Sequence, residues 1–165
     1  MADLGFDGMI KVSWVPTIAD PAVPKVTELT AGVSLEGRLL PDGLTISADT
    51  GEIDNSKMNS LANTVIVGRG TWTLAVKYVR GESTDTAATA VETALAPKAN
   101  GYLVVRRDKV ATLAWTVGDK VEVYPAQVGY ANPDSPAADT LQAVEVPLKN
   151  TGSPRDITNR AVLVA

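Results

Sequence analysis

The chain is predicted to be mainly β: an antiparallel β-sandwich or barrel with one flanking α-helix and one long extended loop. Three observations predict it. Segments of alternating apolar and polar residues recur along the 165 residues, and a period of two marks a strand with one buried face. Thirteen glycines and ten prolines, with many aspartates, punctuate those segments; these residues end strands and build turns. Only residues 84–96 hold apolar side chains at helical spacing. Roughly eight to ten short strands and one helix read as a single domain over residues 1–165.

Residues 1–8 form an N-terminal extension, and the first strand is predicted over 9–15, with Ile10, Val12 and Trp14 on one face. Pro16, Pro21 and Pro24 then hold an extended connector, since proline fixes φ and gives no donor to a ladder. After 25–30 and a short run at 33–40, Pro41-Asp42-Gly43 is predicted to be a turn. Leu44, Ile46 and Ala48 alternate with Thr45, Ser47 and Asp49 as the next strand. Residues 49–63 carry neither period and read as a long inter-strand loop, in which Ile53, Met58 and Leu61 stand isolated among polar residues. Loops of that length inside a domain are usually functional or disordered, and scattered large apolar side chains favour function.

A strand at 64–67 and a bend or bulge at Gly68-Arg69-Gly70 lead into the central strand, 71–79. There Trp72, Leu74, Val76 and Tyr78 share a core face, opposite Thr71, Thr73 and Lys77. In the helix Ser83 or Thr84 caps the first turn, Asp85 complements the dipole, and Ala87, Ala90, Val91, Ala94 and Leu95 form a narrow apolar stripe. Pro97 and Asn100-Gly101 stop it. Further strands are predicted at 102–107, apolar on both faces, and at 110–116, 119–124, 140–148 and 160–164.

Composition excludes several function classes. There is no cysteine and no histidine, which removes disulfides, thiolate sites, Ser-His and Cys-His catalysis and the commonest transition-metal ligand. A net charge of −4 argues against a broad nucleic-acid-binding face. No signal segment or membrane-spanning run is evident, so a soluble protein is expected, acting where it is made or leaving by assembly. Asp49, Glu52 and Asp54 hint at a calcium loop, but the glycine is misplaced and no bidentate acid closes the frame. Gly68-Arg69-Gly70 precedes a strand rather than a helix, the wrong context for a dinucleotide fingerprint. Trp14, Trp72 and Trp115 lie in alternating segments, which favours a core role over a sugar platform. Arg106 and Arg107 at a strand end suit ion pairing better than phosphate binding. No catalytic constellation, cofactor site or metal site emerges, and the chain is predicted not to be an enzyme.

The connector Asp20-Pro21-Ala22-Val23-Pro24-Lys25-Val26-Thr27-Glu28-Leu29-Thr30-Ala31-Gly32 resembles the N-terminal region of major tail tube proteins of long-tailed, siphovirus-like bacteriophages, particularly those of actinobacteria. The helix followed by Asn100-Gly101-Tyr102-Leu103-Val104-Val105-Arg106-Arg107 is similar to that family's helix-to-strand passage. The resemblance covers roughly residues 9–163 and implies a virion protein that forms hexameric rings, stacked into the tube that delivers the genome. It implies self-association, contact with tail proteins such as the tape measure and tail terminator, and passage of DNA without specific binding. No membrane partner is implied. The location would be the virion tail, after assembly in the host cytoplasm. Residues 49–63 match the position of the family's stacking loop, which makes Asp49, Glu52, Ile53, Asp54, Met58 and Leu61 candidate inter-ring residues. Arg106 and Arg107 become candidates for inter-subunit charge. Two other readings stay open: the tube of a contractile injection or type VI-like system, and a non-enzymatic β-sandwich binding module, for which Tyr124 and Tyr130 would be the exposed aromatics.

Overall fold

A computed structural model describes residue 5 and residues 7–165, so most of the expected 1–8 extension lies outside the described residues. Nine strands run antiparallel to their neighbours: β1 (Lys11–Val15), β2 (Val33–Ser34), β3 (Leu39–Asp54), β4 (Val65–Val79), β5 (Asn100–Arg106), β6 (Lys120–Val128), β7 (Asn132–Pro133), β8 (Ala143–Asn150) and β9 (Ala161–Val162). The order across the sheet is β2-β1-β5-β6-β8-β4-β3, with β7 on β8 and β9 on β6. Two helices among the described residues, α1 (Val26–Thr30) and α2 (Thr86–Ala94), accompany the strands.

The sheet does not lie flat. β6 pairs with β5 from Glu122 to Gln127, but with β8 only from Ala126 to Val128. Beyond that short junction the two strands diverge and the sheet rolls over. Trp72 of β4 consequently meets Tyr124 of β6 with ring centroids 5.6 Å apart. One core fills the inside of the roll: Val12 and Trp14, Leu103 and Val105, Tyr124 and Ala126, Leu74 and Val76, and Val146 and Leu148, with Val91 and Leu95 of α2.

A second core lies on the outer face of β1, β5 and β6. Val15, Val104, Val121 and Val123 pack there against Leu29 of α1, Ile18, Trp115, Ala161 and Leu163. These three strands are therefore buried on both faces, which is why 102–107 reads as continuously apolar. The helix α1 is too short to show a period in the sequence. Glu28 fixes it by accepting from the backbone N–H of Lys25 at 2.9 Å and of Ala19 at 3.0 Å.

Four expectations are corrected. Pro41-Asp42-Gly43 does not separate two strands; β3 runs through it, with a register shift between Leu39 and Leu44. Gly43 is required there, because a Cβ would lie 2.3 Å from the carbonyl oxygen of Lys77. Residues 110–116 are not a strand: Arg106 collects the carbonyls of Val110, Leu113 and Ala114 and bends the segment around itself. The helix cap is Asp85 rather than Ser83 or Thr84, its carboxylate accepting from the N–H groups of Ala87 and Ala88. The long loop at 49–63 is half strand.

Candidate functional site: a two-stranded arm

The segment predicted as a loop is the far end of a β-hairpin. β3 continues to Asp54 and β4 starts at Val65, so only residues 55–64 turn. β4 gains β8 as its second neighbour only from Thr73 onward. From Val65 to Trp72 its sole partner is β3, and the pair leaves the sheet as a two-stranded ribbon. Between Ser47 and Thr71 every residue is exposed except Ser56 and Gly68, which are half-buried.

The ribbon is held by backbone hydrogen bonds and by its tip. Thr50 opposes Gly70 while Glu52 opposes Val67, so β4 carries an extra residue at Gly68-Arg69. That bulge is the bend read from the glycines, and it adds local twist. At the tip Asn55 N–H donates to the Thr64 carbonyl at 2.8 Å, Ser56 N–H to Asp54 at 2.7 Å, and Thr64 N–H to the Ser56 hydroxyl at 3.1 Å. The hydrogen bonds from Ser56, side chain first and then backbone, hold the Asp54 carboxyl below its ordinary value.

The alternation of side chains and the register divide the arm into faces. Ile53 directly opposes Ile66 on the outer face, the one continued by Asp49 and Thr71. Glu52 and Asp54 oppose Val67 and Val65 on the face that continues the inner core. Asp49 thus points away from Glu52 and Asp54, and the three do not converge as a cation site would require. Met58 and Leu61 at the tip are fully exposed, and Ile53, Val65, Ile66 and Val67 are each more than half exposed. In the sequence Ile53, Met58 and Leu61 stand out as isolated apolar residues, whereas 64–67 reads as an ordinary strand. The run Val65-Ile66-Val67 was the available signal.

At the other end of β3 the roll leaves a cleft. A cavity of about 590 Å³ is lined by Val12 of β1, by Ile10 just before it and by Leu39, Leu40, Pro41 and Leu44, with Asp7, Glu36 and Arg107 around it. Strands β1 and β3 lie near opposite ends of the sheet order, so this cleft is where the roll comes closest to closing.

The arginine pair sits elsewhere. Arg106 is completely buried, donating to Asp119 at 2.8 Å as well as to its three carbonyls. It does not reach the surface as an inter-subunit charge would, because its guanidinium is buried and both terminal nitrogens donate inside the chain. Asp119 also accepts from Lys109 and from the N–H and hydroxyl of Thr116. Burial opposes ionisation of Asp119, yet these hydrogen bonds outweigh it and leave the carboxyl well below the usual carboxylate range. Arg107 pairs with buried Glu122 at 2.6 Å, which also accepts from the Tyr124 hydroxyl at 2.8 Å. Burial, and then that hydrogen bond, push the Tyr124 hydroxyl far up. Tyr124 is in the core rather than on a binding surface, whereas Tyr130 is exposed. Trp14 and Trp115 are buried and Trp72 is half-buried, so no sugar platform forms from the three.

Among the described residues no group of three or more His, Cys, Asp or Glu side chains is placed to hold a metal. None of their helices is long and apolar enough to cross a membrane. A family model described as phage tail tube protein matches residues 2–162. Among solved structures, a chain of the six-fold symmetrised cryo-EM structure of the anti-feeding prophage baseplate is similar with a TM-score of 0.50 and 10% identity, covering 92% of this chain and 95% of that one. At that identity the likeness is one of fold. Comparison with curated proteins gives no match.

Proposed function

Because the chain belongs to the phage tail tube protein family, and is a structural component of the tail, we propose that it polymerises as stacked hexameric rings and forms the conduit for genome delivery. The arm is the observation that carries this reading. Two-stranded ribbons are marginal in water, and this one presents Ile53, Met58, Leu61, Val65, Ile66 and Val67 to solvent. Such a surface gains its stability on a neighbour. Each large side chain fully removed from water contributes roughly 1.5–3 kcal/mol, and a ring of six multiplies the gain.

Two features support ring closure. The outer edge of β3 has no partner strand among the described residues along its 16 residues, and an open edge of that length invites pairing with another chain. The structural neighbour comes from an assembly treated with six-fold symmetry. The role is structural rather than enzymatic, with the tape measure, the tail terminator and passing DNA as further contacts. A net charge of −4 suits a wall along which DNA slides without adhering. Subunits would gather in the host cytoplasm and end in the virion tail.

Negative-stain microscopy of the purified protein across concentration tests the proposal. Rings or tubes are expected at high concentration. The double variant Ile53→Ser/Met58→Ser should keep its circular dichroism spectrum and lose the tubes. A protein that stays monomeric at every concentration would overturn the tube reading, and normal tubes from the folded double variant would overturn the role of the arm.

A further inference from the structure

We propose that the apolar cleft between β1 and β3 is the receptor for the arm tip of a second copy of this chain; the inference rests on the stacking role of the arm. Position argues for it first. Leu39 and Leu44 line the cleft, and the same strand ends at Asp54 in the arm. Ten residue steps from Leu44 to Asp54, at about 3.3 Å each, place the two sites on the order of 33 Å apart. Donor and acceptor thus occupy opposite ends of one continuous element. A contact between two different patches of the same subunit is heterologous, and it propagates as an open stack instead of closing into a pair.

Chemistry argues for it second. The cleft offers Ile10, Val12, Leu39, Leu40, Pro41 and Leu44 around about 590 Å³, within the range of pockets that enclose a small ligand. The tip offers Met58 and Leu61, both fully exposed. Methionine is unbranched and adapts to irregular apolar space. Charges complete the match. At the rim Glu36 is already paired with Lys11 and Arg107 with Glu122, which leaves Asp7 as the acid with no ion-pair partner among the described residues. Beside Met58, Lys57 has no carboxylate partner among the described residues. Seating the tip would bring Lys57 to Asp7.

The absence of cysteine from the chain makes a cross-link unambiguous. One preparation carries Met58→Cys and another Leu40→Cys; they are mixed, assembled and oxidised. A disulfide needs Cα atoms within about 7 Å, so it forms only if the tip enters the cleft. The expected result is at least about tenfold more cross-linked dimer than from Met58→Cys mixed with Thr89→Cys on the exposed face of α2, because juxtaposition raises effective concentration. Tubes that form normally with no 58–40 cross-link above that control would overturn the receptor while leaving stacking by the arm intact. Normal tubes from Ile53→Ser/Met58→Ser would instead remove the premise. Leu40→Asp gives a second readout: it should abolish tubes from a folded subunit, and tubes at wild-type yield would count against the cleft.

Discussion

Strands β1, β5 and β6 are buried on both faces, whereas the ribbon from Ser47 to Thr71 is buried on neither. Both regions are antiparallel, carry β-branched residues and are held by backbone ladders. What separates them is what lies above and below. The first is sealed by the inner core on one side and by α1, Trp115 and β9 on the other. The second has solvent on both sides and still carries large apolar residues. Apolar content alone therefore does not say whether a strand serves the fold or the assembly; its neighbours do.

The comparison should break most visibly when the body is opened. Trp14 is 2% exposed, and its ring lies so close to Gly101 that a Cβ there would sit 2.7 Å away. Trp14→Ala should cost about 3–5 kcal/mol in denaturant unfolding. Trp72, half-buried where the arm leaves the sheet, should cost less when cut to alanine, about 1–3 kcal/mol. Equal losses at the two positions would erase the boundary between body and arm.

Arg106→Met comes next. It leaves Asp119, whose side chain is wholly buried, with only Lys109 and Thr116 as partners, and it releases the carbonyls of Val110, Leu113 and Ala114. Removing one partner of a buried pair costs roughly 3–5 kcal/mol, and the segment 107–119 should become the first site of limited proteolysis. A variant of unchanged stability would show that the cluster does not hold the loop.

Acid should act on the body through the same group. The carboxyl of Asp119 is held below its ordinary value in the folded chain, so the unfolded state binds more protons and stability rises with pH. This contribution is complete above about pH 4, the unfolded value, and is lost progressively below it. Urea midpoints measured from neutral pH downward should be level and then fall. In Asp119→Asn that component of the fall should be missing.

The arm should give the smallest effect on stability and the largest on assembly. Met58→Ser with Leu61→Ser removes two side chains that touch nothing inside the subunit, so unfolding should shift by less than about 0.5 kcal/mol. Sedimentation should nonetheless show loss of polymer. A shift of 1–2 kcal/mol would mean that the tip packs on its own chain.

Much of this architecture was legible. The β class, the helix, the central strand 71–79 and the isolation of Ile53, Met58 and Leu61 follow from period and punctuation. The errors have physical causes. Pro41-Asp42-Gly43 carries the chemistry of a turn, but the same chemistry makes an irregularity inside a strand when β4 continues alongside. Asp49 to Asp54 looks structureless because no core imposes alternation on a ribbon that is wet on both faces. Residues 110–116 alternate, yet the buried guanidinium of Arg106 offers their carbonyls a better partner than a ladder would. The cleft was invisible because Ile10 and Leu44 meet only through the roll of the whole sheet.

That β1 pairs with β5, Lys11 opposite Arg106, also sets a timetable. The arm closes through neighbouring residues and can zip early, while the ladder at β1 must wait for a partner far along the chain; contacts of long sequence separation form slowly. During synthesis Lys11–Val15 emerges long before Arg106 exists. Until they meet, the wall of the cleft contributed by Ile10 and Val12 is missing. On the proposed docking, a half-made subunit would extend an arm before the cleft that receives one is built. Folding would then meter the supply of competent subunits through its long-range strand pairing.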